Sequence, residues 1–160
     1  MAAPVGPPDG IAPTVEEALY LALDEPFDDV VPFVQLEHEY VGFETVSLTR
    51  LDRMIEGVLE ERYPATALLV TCHAEVARDA LAIDPHLAGL LPCTTVIYER
   101  DDDPYAHVYH LSATKALRDL GVAGSTAPEA VERLVAKTGE YMSQVWENIR
   151  SNATVVSDAP

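Results

Sequence analysis

Lysine is nearly absent from this chain. Only Lys115 and Lys137 occur among 160 residues, and eight arginines bring the basic total to ten against 27 acidic residues. The basic residues are scattered without forming a run, which argues against a nucleic-acid interface. The formal net charge is −17, yet 48% of the residues are hydrophobic, which excludes a disordered acidic chain. We therefore expect a folded domain with a carboxylate-rich surface. Because such a surface repels itself unless salt screens it, we also expect a salt-rich cytosol.

Long apolar runs and export signals are also missing. No stretch approaches the ~20 apolar residues of a membrane span, so no membrane association is expected. The N-terminal residues lack a basic segment followed by an apolar core, so the two cysteines are expected to remain reduced thiols. The length suits one domain, and we predict a flexible leader at 1–14, a single domain at 15–150 and a flexible tail at 151–160.

Apolar periodicity predicts strands and helices without strict alternation, which is typical of a layered α+β domain. An acidic run at Asp101–Asp103 indicates a hairpin turn between two of the strands. The predicted strands are Ala18–Leu23, Phe43–Leu48, Ala67–Thr71, Cys93–Glu99 and Tyr105–His110. The first predicted helix runs from Asp28 or Asp29 to Val41, and the second begins at a Thr49–Asp52 capping pair. The third covers Ala74–Ile83. The last is a long C-terminal helix that begins at a Thr126–Glu129 capping box.

Two cysteine segments give the chain a resemblance to a known family. Cys72 precedes a short helix, and Leu91-Pro92-Cys93 leads into a strand that ends in Tyr98-Glu99. The pattern resembles the family called domain of unknown function 302, over roughly residues 17 to 120. The resemblance implies a fold of the TATA-binding-protein type, with a curved, mainly antiparallel sheet of about five strands backed by helices, and it implies a dimer. It implies no activity, and the chain departs from the family pattern at His73, where that pattern has asparagine.

The two cysteines are candidate reactive residues. Cys72 lies where a strand passes into a helix, and a sulfur at a helix N-terminus lies near free N–H groups that favour the thiolate. Cys93 begins the next strand, so neighbouring antiparallel strands would bring both sulfurs to one rim of the sheet. Cys72 would then be a nucleophile and Cys93 its resolving thiol. The alternative is that each cysteine is a small buried hydrophobic side chain.

Three histidines near the cysteines or on strands are candidate ligand-binding residues. His73 could complete a soft-metal or haem-ligating set with Cys72, Cys93 and a strand histidine. His107 and His110 lie on opposite faces of one strand, so only one of them can face a given site. The spacing of the Cys72, His73 and Cys93 set matches no standard zinc module, so a haem and a transition metal both stay open as cofactors.

The first predicted helix carries two polar residues on or beside its apolar arc. Glu37 lies near the middle of that arc and His38 lies on its flank. A buried carboxyl group with a raised pKa can act as a general acid or base, which makes Glu37 a third candidate catalytic residue. His38 is a further candidate ligand-binding residue. The alternative for Glu37 is a position at the edge of a groove, from which its carboxylate reaches water.

Three functions fit these residues. The first is a homodimeric binding or accessory domain that holds a small ligand, metal or haem near Cys72, His73 and Cys93. The second is a thiol–disulfide redox enzyme, although 21 positions separate the two sulfurs and no CxxC motif is present. The third is a protein-interaction module whose long helix, predicted over Pro128–Arg150, packs against a partner.

Overall fold

The predicted strands pair into one curved antiparallel sheet. The computed structural model describes residues 19–114 and 127–159. Its strands are β1 (Leu19–Leu23), β2 (Phe43–Arg50), β3 (Thr66–His73), β4 (Cys93–Glu99), β5 (Ala106–Leu111) and β6 (Val155–Ser157). Within the described residues they lie in the order β2-β3-β4-β5-β1-β6, and every neighbouring pair is antiparallel. The α+β class is confirmed, with six strands where about five were expected.

Two of the helices pack on one face of this sheet and form the main core with it. The helices are α1 (Phe27–Tyr40), α2 (Leu51–Leu59), α3 (Ala74–Ile83) and α4 (Pro128–Asn152). Strand residues such as Leu21, Leu69 and Ile97 form the core with the buried sides of α1 and α4. We call this side of the sheet the inner face and the opposite side the outer face. Because side chains alternate along a strand, every strand residue is assigned to one face by its register.

The starts of two helices differ from prediction. Helix α1 begins after Pro26, which makes no side-chain cap, and Asp28 and Asp29 lie inside the first turn. Helix α2 begins after Arg50, because β2 continues through Thr49, and Asp52 instead binds the Arg50 guanidinium at 2.7 Å and the Thr66 backbone N–H at 3.1 Å. The proposed capping residue Thr126 lies outside the described residues. Strong side-chain pairing thus replaces local capping, which short-range motifs do not reveal.

The C-terminal residues extend the sheet. Helix α4 continues to Asn152, and β6 then pairs with β1. The backbone N–H of Thr154 donates to a carboxylate oxygen of Glu25 at 2.7 Å, which holds this segment beside the start of α1. The predicted tail at 151–160 therefore contains ordered secondary structure, and the predicted leader at 1–14 lies outside the described residues. Among the described helices, none combines the length and apolarity required to cross a bilayer.

A hydrogen-bonded cluster of side chains on the outer face includes His107. The phenol of Tyr20 donates to His107 Nδ1 at 2.6 Å, and His107 Nε2–H donates to the Asp103 carboxylate at 2.9 Å. The ring of Tyr98 stacks on His107 with centroids 4.9 Å apart. Both nitrogens of this buried imidazole are therefore used to join β1, β5 and the β4–β5 hairpin.

We predict that Tyr20→Phe lowers the free energy of unfolding by about 1–3 kcal/mol, because it leaves His107 Nδ1 buried without its donor. Chemical denaturation followed by circular dichroism measures this loss. Tyr109→Phe is the matched control, since it removes a hydroxyl from a half-buried tyrosine of the same face. Equal effects of the two substitutions would contradict a specific role for the Tyr20 hydrogen bond.

Candidate functional site

The two thiols lie on opposite faces of the sheet. In the register of β3 and β4, Thr71 is directly opposite Cys93, and both are buried on the inner face. Cys72 is the next residue along β3 and therefore lies on the outer face, opposite Glu44 of β2. The strands do place both cysteines at one end of the sheet, as predicted. The sheet itself separates the sulfurs, so the structure does not bring them together for a disulfide or a shared ligand.

Neither thiol has the electrostatic environment of a nucleophile. Burial raises the pKa of Cys72, in contrast to the lowering expected for a sulfur ahead of a helix. Burial, with a smaller contribution from Cys72, raises the pKa of Cys93 to about 11. A thiol with a raised pKa carries little of the reactive thiolate at neutral pH. The raised pKa of Cys72 therefore gives no support to the expected activation by the N-terminus of α3.

The predicted metal set is not assembled either. His73 follows Cys72 and returns to the inner face, where its ring stacks on Tyr141 with centroids 4.0 Å apart. Gly42 lies against the His73 ring, and a Cβ at this position would be 3.0 Å from His73 Nε2. Its φ of +100° is also strained for any residue with a side chain, so both constraints favour glycine. Phe43 contacts the same imidazole edge-on. Within residues 19–114 and 127–159, no three histidine, cysteine or acidic side chains are grouped to hold a metal ion.

Buried polar residues instead form a layer across the interior. Five of the inner elements each contribute one buried polar side chain among their apolar residues. These side chains are fully or almost fully buried, and we call them the polar layer: His38 of α1, Thr71 of β3, Thr95 of β4, His110 of β5 and Thr138 of α4. On α4, Thr138 separates residues of the main core from Leu134 and Val135, which belong to a second apolar cluster with α3.

Hydrogen bonds link three side chains of the polar layer, and each bond has a defined donor and acceptor. His38 Nδ1–H donates to the Val34 carbonyl at 2.7 Å, so the neutral ring accepts at Nε2 from the Thr95 hydroxyl at 3.1 Å. Thr95 Oγ1 then accepts from His110 Nδ1–H at 3.0 Å. Burial lowers the pKa of His38, against a smaller opposing effect of the Val34 hydrogen bond, which favours this neutral form. His38 and His110 are thus brought together through Thr95.

Glu25 Oε2 and His73 Nδ1 are buried without a hydrogen-bond partner among the described residues, and two further such atoms belong to side chains near this chain of hydrogen bonds. They are Thr71 Oγ1 and Trp146 Nε1, in side chains that are 0% and 2% exposed. The Trp146 ring lies 6.1 Å from the His110 ring, and Thr71 lies next to Cys93 on the neighbouring strand. A buried polar group without a partner is costly, and such groups are commonly satisfied by a bound molecule or water.

The remaining predicted residues have different surroundings. Glu37 is 6% exposed on α1, beside His38, and no hydrogen bond or ion pair joins its carboxylate to a described residue. The carboxylate oxygens of Glu37 are not among the fully enclosed atoms that lack a partner, which agrees with a largely buried side chain whose carboxylate reaches water at the edge of a groove. His107 and His110 lie on opposite faces, as predicted, and only His110 belongs to the polar layer. The sequence reasoning missed Thr71, Thr95 and Trp146, although threonines at alternating inner positions of two apolar strands are a signal for a polar interior.

We predict that both thiols persist in the folded protein and that Cys93 is the slower to react. A pKa of about 11 lowers the thiolate fraction at pH 8 about 100-fold relative to a thiol of pKa 9.0. Thiol titration of Cys72→Ser and Cys93→Ser, in native buffer and in denaturant, measures each sulfur alone. Rapid formation of an intramolecular disulfide in the native protein would contradict the placement of the sulfurs on opposite faces.

Comparison with known proteins places this fold in a family. No curated protein matches the chain significantly. Among solved structures, an uncharacterized conserved protein DUF302 from Bacillus stearothermophilus is similar with a TM-score of 0.68 and 12% identity, over 81% of this chain and 95% of that one. At this identity the similarity concerns the fold alone. The family described as Domain of unknown function DUF302 matches residues 20–149, and the chain therefore belongs to the DUF302 family.

Proposed function

We propose that this protein is a binding domain that holds one small polar molecule in the polar layer. The observation that carries the proposal is the pair of unpartnered buried atoms, Thr71 Oγ1 and Trp146 Nε1. Each buried polar group without a hydrogen bond costs about 1–3 kcal/mol, so a molecule that binds both atoms would recover that free energy. The binding site moves from the predicted Cys72, His73 and Cys93 set to the polar layer, with Cys93 beside it.

The surroundings suggest the chemistry of the molecule. The polar layer contains hydroxyls and imidazoles but neither lysine nor arginine, so it offers no cationic partner to an anion. Trp146 Nε1–H only donates, whereas the Thr71 hydroxyl donates or accepts. A neutral molecule with at least one acceptor, such as a small amide or alcohol, matches these two groups.

Trp146 provides a direct measurement, because it is the only tryptophan of the chain. We predict that native mass spectrometry of the purified protein shows a bound mass above the 17.4 kDa chain. Denaturation, dialysis and refolding should remove that mass and shift the single indole N–H resonance in the NMR spectrum. Thr71→Val should lose the bound mass while remaining folded, since it removes only an unpartnered hydroxyl.

Thr94→Val is the control, because Thr94 is half-buried on the outer face and adjacent to Cys93. It should keep the bound mass. An unliganded native mass, together with an indole resonance that refolding leaves unchanged, would mean that only water fills the polar layer and would overturn the proposal. A bound mass that Thr71→Val retains would place the ligand elsewhere.

We also propose that the protein works as a homodimer in a salt-rich cytosol. The homodimer is supported by the resemblance to the DUF302 family, which implies a dimer. The salt-rich cytosol is supported by the charge distribution, because residues 1–49 contain ten acidic and no basic residues within a chain of net charge −17. Like charges on one molecule, or on two that associate, repel strongly at low ionic strength. Screening reduces the range of that repulsion from about 10 Å at 0.1 M salt to about 3 Å at 1 M salt.

We predict that raising KCl from about 0.1 M to about 2 M raises the thermal unfolding midpoint by several degrees, since screening removes self-repulsion from the folded state. Differential scanning calorimetry measures the midpoint. The same titration near pH 5, closer to the isoelectric point of 4.4, is the control and should show a smaller gain. A midpoint that does not rise with salt at neutral pH would contradict salt adaptation.

A further inference from the structure

Helix α2 has an apolar side that the described structure covers only in part, since Leu51 and Ile55 are half-buried and Met54 and Val58 are exposed. Leu51, Met54, Ile55 and Val58 recur at the spacing of one helix face. None of the residues of α2 is buried, and Met54 and Val58 are 52% and 74% exposed. A helix with such a face ordinarily packs it against another element, because exposed apolar area costs free energy in water. The face therefore indicates a partner.

Strand β2, which directly precedes α2 in the chain, also has exposed apolar side chains. It is the first strand in the sheet order, so within the described residues only β3 pairs with it. Six of the thirteen exposed large hydrophobic side chains in the described structure fall within this strand, α2 and the residues just after α2. We call them the β2–α2 surface: Val46, Leu48, Met54, Val58, Leu59 and Tyr63.

The charge of this segment differs from that of the preceding chain. Residues 50–63 contain three arginines and four acidic residues, whereas residues 1–49 contain ten acidic residues and no basic one. A basic partner would be drawn to the acidic residues rather than to this nearly balanced segment. A partner that is itself strongly acidic can approach here, where it meets the least repulsion. A second copy of this chain is such a partner.

We infer that the β2–α2 surface is the contact between two copies of this chain. The inference rests on the proposed homodimer and names its surface. In a two-fold symmetric dimer the same surface of each copy forms the contact, so the apolar face of α2 in one copy packs against the apolar face of α2 in the other. The exposed residues that border the face have both signs, such as Arg53 and Glu56, and each can pair with the opposite residue of the second copy. That self-complementarity is what an isologous contact requires.

Sedimentation velocity at about 2 M KCl tests the inference over a range of protein concentrations. The unsubstituted chain should sediment as a dimer, at twice the 17.4 kDa chain mass. Val58→Asp should raise the dimer dissociation constant on the order of 100-fold, because both copies carry the substitution. Val58→Arg should weaken the dimer as well. Because arginine adds a positive charge, weakening by both variants would show that the lost apolar contact, and not added negative charge, disrupts the dimer. Both substitutions are at an exposed position, and circular dichroism verifies the fold.

Leu111→Asp is the matched control. It adds the same charge at a side chain that is 61% exposed on the outer face of β5, and it should leave the dimer intact. A dimer that survives both Val58 variants, or that Leu111→Asp disrupts equally, would overturn the assigned surface while the homodimer stands. A monomer at every concentration and salt would overturn both the surface and the proposed homodimer.

Discussion

The alternation of side chains across one antiparallel sheet decides which residues of this protein can act together. The register that sets Thr71 opposite Cys93 fixes every neighbouring position on the two central strands. One residue further along β3, Cys72 faces the other side, and no rotamer change brings its sulfur through the backbone of the sheet. The same rule sends His110 inward and His107 outward. Adjacent residues in sequence are therefore separated here, and residues from distant segments meet.

What meets on the inner face is a set of neutral hydrogen-bonding groups between two apolar clusters. A continuous hydrophobic core across this level would be simpler to stabilise, since buried polar groups stabilise little and cost much when unpaired. The chain of hydrogen bonds from His110 through Thr95 to His38 fixes the tautomer of His38. The unpartnered atoms lie beside this ordered chain. Polar atoms held beside an ordered chain of hydrogen bonds need little rearrangement to bind a molecule, which is the reason for the proposal that a ligand binds at this level.

The sequence predicted the features that depend on local periodicity. Helix α3 matches its predicted bounds of Ala74–Ile83, and the opposite orientation of His107 and His110 follows from the period of a strand. Features that depend on register or on distant partners were not predictable. The neighbourhood of Cys72 and His73 in sequence suggested a common site, but a strand places neighbours on opposite faces. Likewise, Asp52 resembled a helix cap, and its actual partners, Arg50 and Thr66, include one that is 14 positions away.

The surface and the interior of the protein respond to salt in different ways. The proposed dimerisation and the proposed ligand binding should therefore depend on salt independently. The carboxylates that give the chain its net charge of −17 lie mostly in contact with solvent, where ions screen them within a few ångströms. The polar layer has no charged member, and its hydrogen bonds lie beyond the reach of dissolved ions. Self-association through the β2–α2 surface should thus strengthen as salt weakens repulsion between copies. The proposed recognition of a neutral molecule in the interior should change little with salt, because an uncharged ligand has no net charge for ions to screen.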